Sequence, residues 1–313
     1  MALNDALFGA LLRKLAARDY RFVTITPASH ARVLARPSKS TARTVVDVLG
    51  WSLPFARGVL VDELFHDLSA AGVIEERGQL LRCTIRVSCI GSVLYIHSAF
   101  PTTAPDAVFL GPDSYRFAVA ITAELDAERV PAGARILDIG TGAGVGAITA
   151  ALLCPDARVV ATDINPLALR FAAINAAVVG VAIEPMLADS VAAVPGEFDL
   201  ILINPPYIID SARRAYRDGG DMHGAALPLR MTREAMAKLA EGGRLLLYTG
   251  SAIVDGEDRL RAALADAVAE AGFTLRYREI DPDVFGEELG SEAYAEVDRI
   301  ALVCALIRRP RRS

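Results

Sequence analysis

The residues with the clearest chemical potential are Asn204-Pro205-Pro206-Tyr207, which follow directly on the apolar run Phe198-Asp-Leu-Ile-Leu-Ile203. Two consecutive prolines fix φ and stiffen the loop, so the carbonyl of Pro205 points in one set direction. An amide or exocyclic amine has a delocalised lone pair and is a poor nucleophile. If the Asn204 side-chain oxygen and the Pro205 carbonyl both accept hydrogen bonds from one NH₂, they orient that nitrogen and turn its lone pair toward an electrophile. Tyr207 can stack on the planar group and hold it in line. No strong base is required, because the nitrogen can shed its proton as the new bond forms or afterwards. Taken alone, the same four residues also describe a plain Pro-Pro turn after a strand. What precedes them in the chain gives them a reactant.

That reactant is read from Leu137-Asp-Ile-Gly-Thr-Gly-Ala-Gly-Val-Gly146. Gly140, Gly142 and Gly144 let the backbone turn sharply and meet a ligand with no Cβ in the way. The helix expected behind them offers unpaired N–H groups to a carboxylate. The loop is ambiguous by itself, since Gly142-Ala-Gly144-Val-Gly-Ala147 also satisfies the dinucleotide pattern G-x-G-x-x-G/A. Asp138, two residues before the first glycine, would repel a pyrophosphate. Asp163, closing the run Val159-Val-Ala-Thr-Asp163, can accept hydrogen bonds from both ribose hydroxyls. It would serve NAD or S-adenosylmethionine equally, so it points to a nucleoside without choosing between them. Its other reading is a helix cap ahead of Asn165-Pro166.

The elements that must position these residues can be read from periodicity. From about residue 130 extended runs alternate with helical ones: 134–139, then a helix from Gly144; 157–162, then a helix from Pro166; then 181–187, 200–203, 244–248, 273–280 and 300–307, with helices near 228–241 and 256–271. Such alternation predicts a parallel, doubly wound sheet, here ending in an antiparallel pair. Before it, apolar residues at helical spacing (Leu3, Leu7, Leu11, Leu15) predict a helix over 3–18. Residues 21–26 read as extended, 41–49 and 58–71 as helical, and 80–90 and 92–98 as two extended runs joined at Gly91. Helices followed by a hairpin suggest a winged-helix-like unit, with Pro101-Thr-Thr-Ala-Pro105 as the linker out of it.

Composition adds bounds. The 313 residues carry a net charge of -5, divided unevenly. Residues 1–100 hold 12 Lys/Arg against 8 Asp/Glu, a net of +4, and the remainder holds 21 against 30, a net of -9. A positive front domain can favour an acidic partner or nucleic acid. Arg308-Arg-Pro-Arg-Arg-Ser313 reads as a frayed basic terminus rather than a binding arm. Cys83 and Cys89 match no metal or redox spacing, Cys154 and Cys304 stand alone, and His30, His66, His97 and His223 form no cluster. Buried or half-buried thiols in a reducing compartment are expected, with no structural metal. There is neither a membrane-spanning apolar run nor a signal-like start, so a cytoplasmic protein is expected.

At these motifs the chain resembles the class I methyltransferases with an N-P-P-Y motif, most closely the HemK-like group of release-factor glutamine N5-methyltransferases and rRNA methyltransferase relatives. The resemblance covers about residues 105–307 and rests on Leu137–Gly146, Ala161-Thr-Asp-Ile-Asn-Pro166 and Asn204–Tyr207. Tyr216-Arg-Asp-Gly-Gly220 with Gly224 is also similar to that group's glycine-rich stretch. It implies S-adenosylmethionine as cofactor, with Gly140, Gly142, Gly144, Asp163 and Ile164 on it. It further implies Asp138 near the positively charged methionine end, Asp189 reaching the adenine amino group, and Asn204, Pro205, Pro206 and Tyr207 on the acceptor nitrogen. Two departures stand out. Phe109-Leu-Gly-Pro-Asp-Ser-Tyr-Arg-Phe117 replaces the usual arginine-proline-rich segment, with Tyr115 expected over the cofactor. The winged-helix-like front also replaces a helical bundle.

The expected fold is α/β, a doubly wound, mostly parallel seven-stranded sheet of Rossmann-like type with a smaller N-terminal winged-helix-like α+β domain. Residues 1–104 would recognise the acceptor and 105–313 would carry the methyltransferase. The expected activity is N-methyl transfer to an amide or exocyclic amine of a protein or small molecule. A nucleobase amine of rRNA or tRNA is the alternative acceptor, and a catalytically silent binding module is the alternative of another class. A nicotinamide oxidoreductase would leave Asn204–Tyr207 without a task.

Overall fold

A computed structural model describes residues 2–210, 214 and 216–311, with the side chains of 2–4 left aside. Arg312 and Ser313, the end of the basic tail, lie outside the described residues. The chain forms two compact units. One comprises the residues up to Arg116 with Gly142–Val145 and Leu167–Ala182. The other comprises Phe117–Thr141, Gly146–Pro166 and the chain from Ile183 onward.

The first unit begins with helices α1 (Ala2–Ala16), α2 (Pro27–Leu34), α3 (Val45–Leu49) and α4 (Asp62–Ala70). Two hairpins follow, β1 (Ile74–Arg77) with β2 (Leu80–Cys83) and β3 (Ile85–Ile90) with β4 (Val93–Ser98). Of the apolar face of α1 expected from its spacing, Leu11 and Leu15 are buried and Leu7 is half-buried, with Phe8 and Leu12 buried beside them. Several local readings are corrected. The single extended run over 80–90 is divided at Thr84, and it is preceded by a strand that turns at Gly78 (φ +63°). α2 was not expected; Pro27 at its first position and the Thr26 hydroxyl, accepting from Ser29 N at 3.2 Å, start it. The helix expected over 41–49 begins only at Val45, where Thr44 and Asp47 form a reciprocal capping box. Residues 21–26 form no strand, although the Phe22 carbonyl accepts from Cys89 N at 2.8 Å. All four thiols are free and buried.

Helix α5 (Pro112–Ala127) occupies the Phe109–Phe117 departure, which sequence periodicity left without an element. There follow β5 (Arg135–Ile139), α6 (Val145–Leu153), β6 (Arg158–Asp163), α7 (Pro166–Val178), β7 (Glu184–Leu187), β8 (Phe198–Ile203), α8 (Ala226–Met236), β9 (Leu239–Val254), the two-residue β10 (Glu257–Asp258), α9 (Arg259–Glu270), β11 (Thr274–Asp281) and β12 (Arg299–Arg308). The main sheet runs β11-β12-β9-β8-β5-β6-β7, with β10 beside β9. β7, β6, β5, β8 and β9 run parallel to one another, whereas β12 runs antiparallel between β9 and β11. Central strands read as unbroken apolar runs because both faces are covered: Leu200, Ile201, Leu202 and Ile203 are each fully buried. The chain end is not frayed at Arg308 and Arg309, because each meets a carboxylate, Glu128 and Glu197 respectively.

Within the first unit, Asn175 of α7 is fully buried. Its amide accepts from Ile96 N at 2.8 Å and donates to Ile96 O at 3.1 Å and to Ala143 O at 2.9 Å. A side-chain amide thus completes the open edge of β4 and holds the middle of the glycine loop. Asn175→Ala leaves these buried groups without partners and is expected to cost about 1–3 kcal/mol. A lowered urea midpoint is the measurement; an unchanged midpoint would deny the amide this role.

Candidate active site

Strand register places the expected site residues in one line. Met186, Thr162, Ile139, Ile203 and Leu247 pair successively across β7, β6, β5, β8 and β9. The residues one step further along these strands are Leu187, Asp163, Gly140, Asn204 and Tyr248. Neighbouring strands lie about 4.8 Å apart, so Asp163 and Asn204 flank Gly140 about 10 Å from each other. The line lies at the carboxyl ends of the parallel strands, where the strand order reverses about β5, which is where open α/β sheets hold ligands.

Asp138, the last but one residue of β5, is 1% exposed. Its Oδ2 accepts from Thr141 Oγ1 at 2.6 Å and from Ala147 N at 2.8 Å, so the carboxylate closes the two ends of the glycine loop on itself. Gly146 makes this possible, since a Cβ there would stand 2.5 Å from Asp138 Oδ1. The loop is also sewn to β6, because Thr141 N donates to Thr162 O at 2.8 Å. Burial pushes the Asp138 carboxyl up to about 6, against the downward pull of its two donors. Gly140, Gly142 and Gly144 have φ of +69°, +54° and +87°, the left-handed region that favours glycine. No atom stands within 4 Å of where a Cβ of Gly140 would be, so its backbone is open to a ligand. An open, left-handed loop ahead of a helix N-terminus fits the amino-acid carboxylate of S-adenosylmethionine.

At the end of β6 the Asp163 carboxylate accepts from Asn165 N at 2.9 Å, which fixes the turn into α7. Ile164 beside it is 54% exposed, and Leu187 on the adjoining β7 is 62% exposed. Two exposed aliphatic side chains next to an acid at the sheet's end suit the flat face of a nucleoside. Asp189 is exposed in the bend after β7.

Beyond β8, Asn204 and Pro206 are half-buried, and Pro205 and Tyr207 are buried. The Tyr207 ring packs so closely on β9 that a Cβ on Gly250 would lie 2.3 Å from it. Phe285 meets the Tyr207 ring edge-on, with ring centroids 6.0 Å apart. The expected stacking of Tyr207 on the acceptor thus starts from a ring already held by protein. The glycine-rich stretch after the tetrapeptide has a packing reason. A Cβ at Gly219 would be 2.7 Å from Tyr207 Cα, and one at Gly224 2.1 Å from the Tyr207 carbonyl oxygen. Ile208 bridges Asp218 in parallel, and Gly219 N donates to Ile208 O at 2.8 Å. The irregular segment between β11 and β12 reaches the same place, since the buried Tyr294 hydroxyl accepts from Ile209 N at 2.8 Å. Arg217 pairs with Glu288 of that segment. Asp210 takes a two-pronged bond from Arg214, which lowers its carboxyl to about 2.

The second unit therefore brings Asp138, Gly140, Asp163, Ile164 and Asn204–Tyr207 to one end of its sheet. Gly142, Gly144 and Tyr115 belong to the first unit, where the Tyr115 hydroxyl accepts from Thr24 N at 2.8 Å. Sequence reasoning missed the packing roles of Gly146, Gly250 and Tyr294, and the part of Asn175 in holding Ala143. A lone polar residue in the apolar run Phe171-Ala-Ala-Ile-Asn175-Ala-Ala was the signal for Asn175; Gly250 and Tyr294 carry none. Among the described residues no group of three or more His, Cys, Asp or Glu is placed to hold a metal, and no helix is long and apolar enough to cross a membrane.

Residues 120–270 match the methyltransferase small domain family. A release factor glutamine methyltransferase of Cereibacter sphaeroides is 41% identical over 170 residues, which cover 50% of this chain and 57% of that protein. One from Bordetella pertussis is 34% identical over 198 residues, 61% of this chain and 70% of the relative. The chain thus spans little more than half the length of the first of these relatives and over two thirds of the second. The crystal structure of Trm5b from Pyrococcus abyssi superimposes with a TM-score of 0.50 at 16% identity, covering 75% of this chain and 62% of that one, a likeness of fold.

Asp138 gives the site a pH signature. Its folded-state pKa lies above the ordinary 3.8, so the fold favours the protonated carboxyl. That stability is fully present below pH about 4 and is lost as pH rises through about 6. Two units correspond to about 3 kcal/mol. The difference in unfolding free energy between wild type and Asp138→Asn should fall by that order between pH 4 and 7. Parallel curves for the two proteins would contradict a buried, titrating Asp138.

Proposed function

The chain belongs to the HemK-like class I S-adenosylmethionine-dependent methyltransferases, and from that premise we propose that it methylates the side-chain amide nitrogen of a protein, with a release-factor glutamine as the foremost acceptor. The observation that carries this reading is the register line, which sets Asn204 next to Gly140 with Asp163 on the other side of the loop. Bound S-adenosylmethionine supplies an electrophilic methyl group on a positively charged sulfur. Gly140, Gly142 and Gly144 bare the loop backbone for its amino-acid end, and Asp163 accepts from its ribose hydroxyls. Ile164 would lie against the nucleoside and Asp189 would serve the adenine amino group.

The chain's own part in the chemistry is orientation. Asn204 Oδ1 and the Pro205 carbonyl accept both hydrogens of the acceptor amide and fix its plane. Held so, the nitrogen lone pair faces the methyl carbon, and proximity replaces the intrinsic nucleophilicity that an amide lacks. The proton leaves the nitrogen as or after the bond forms. Tyr207, wedged against Gly250, sets the height of the loop. The residues before 105 serve acceptor recognition in this reading.

The deciding experiment incubates the purified protein with S-adenosylmethionine labelled in the methyl group and a bacterial release factor. Methyl on one glutamine, located by mass spectrometry, is the expected result. Label appearing in RNA and not in protein would replace the acceptor by a nucleobase. Asp163→Ala should weaken S-adenosylmethionine binding by about 1–3 kcal/mol, measured by calorimetry, because two hydroxyls lose a charged acceptor. Unaltered affinity would take Asp163 out of the cofactor site. Asn204→Ala should leave cofactor affinity intact and lower turnover by about 10²-fold or more, as when a group acts mainly in the transition state. Lost cofactor binding with turnover retained would reverse that assignment.

A further inference from the structure

Directly behind the catalytic tetrapeptide the backbone makes an unusual turn. Met222, His223 and Gly224 have φ of +56°, +53° and +91°, three left-handed residues in succession of which two bear side chains. Each such non-glycine residue is disfavoured by about 1–3 kcal/mol and persists where its surroundings determine it. Here they do: Gly224 N donates to Gly220 O at 3.0 Å, Ala225 N to Met222 O at 3.1 Å, and Gly224 lies flat on the Tyr207 carbonyl.

The turn presents His223 in a half-buried position, its ring 6.2 Å from that of Tyr294 and tilted by 37°. Tyr294 is itself fixed through its bond from Ile209 N, two residues past Tyr207. The imidazole is therefore placed by the same contacts that hold the tetrapeptide. Yet among the described residues neither ring nitrogen of His223 has a hydrogen-bond or ion-pair partner. A neutral imidazole donates through one nitrogen and accepts through the other, which matches the N–H and C=O of a peptide group. Met222 beside it is 41% exposed and offers an adaptable apolar contact.

We infer that His223 is a specificity-determining residue that hydrogen-bonds the main chain of the acceptor polypeptide next to the amide being methylated. This rests on the proposed protein acceptor. The four native cysteines are buried, so the half-buried thiol introduced by His223→Cys is the one that N-ethylmaleimide follows. Release factor, added with the demethylated cofactor product, should slow its labelling at least tenfold. His223→Ala should raise KM for release factor about tenfold with kcat and S-adenosylmethionine affinity little changed, the size expected for one hydrogen bond. His223→Gln, which also donates and accepts, should restore most of the loss. If wild type methylates release factor while the thiol stays unprotected and His223→Ala behaves as wild type, the inference falls and the proposed function stands. Protection without methyl transfer keeps the contact and removes the glutamine reading. Neither protection nor transfer removes both.

Discussion

A single buried carboxylate sets the geometry on which the site depends. Asp138 accepts from Thr141 and Ala147 with one oxygen, and so ties the residue just after Gly140 to the one just past Gly146. A loop of three left-handed glycines has more conformational freedom to lose than any other sequence of its length. Without an internal tie it would lose that freedom only on binding, and affinity would suffer by the same amount. Asp138 lowers that entropy before any ligand arrives. The tie is purchased at the cost of a carboxyl pushed up to about 6, since burial disfavours its charge. A cationic ligand end near the loop, as proposed, would favour the ionised form, so that the brace and the electrostatic attraction would reinforce one another.

The second constraint is steric. Tyr207 is packed by glycines at 219, 224 and 250, each of which admits backbone or ring where a Cβ would collide. Prolines alone restrict φ at two residues, but they do not determine the height of the loop above the sheet. Close glycine contacts do, because dense packing leaves few alternative positions. The tetrapeptide is thus rigid for two independent reasons, local torsion and surrounding contacts. The proposed orienting of a weak nucleophile would need that rigidity, because displacements on the order of 1 Å can cost about two powers of ten in rate.

These two constraints explain what could be read from the sequence. The alternating strands and helices after residue 130 were legible because buried parallel strands must be apolar throughout, as Leu200–Ile203 are. The tetrapeptide and glycine loop were legible because their residue types are demanded by torsion, a local property. The front was read less well. The hairpin of β1 and β2 is short, Ile74-Glu-Glu-Arg77 and Leu80-Leu-Arg-Cys83, and its polar and apolar residues come in blocks, so no alternation marks it. Helix α5 escaped notice because its beginning, Gly111-Pro112-Asp113, reads equally as a turn. Gly250 lies within a strand, where a glycine ordinarily suggests a bulge, and only the Tyr207 ring against it gives the reason. Contacts between residues far apart in sequence leave no local trace.

Charge brings the same two themes to bear on the acceptor. Between Arg278 and Arg299 the chain has no Lys or Arg, and carries Glu279, Asp281, Asp283, Glu287, Glu288, Glu292, Glu296 and Asp298. Among the described residues Glu279 pairs with Arg299 and Glu288 with Arg217. This segment also supplies Phe285 against Tyr207 and Tyr294 to Ile209, so it packs beside the tetrapeptide. A phosphate backbone brought there would meet like charge, and within a Debye length of about 8 Å salt screens it only partly. An uncharged amide on a polypeptide meets no such barrier. A positively charged sulfur is meanwhile favoured by the same field. The charge at this end of the sheet therefore supports the proposed protein amide over a nucleobase, on grounds separate from Asn204 and Pro205.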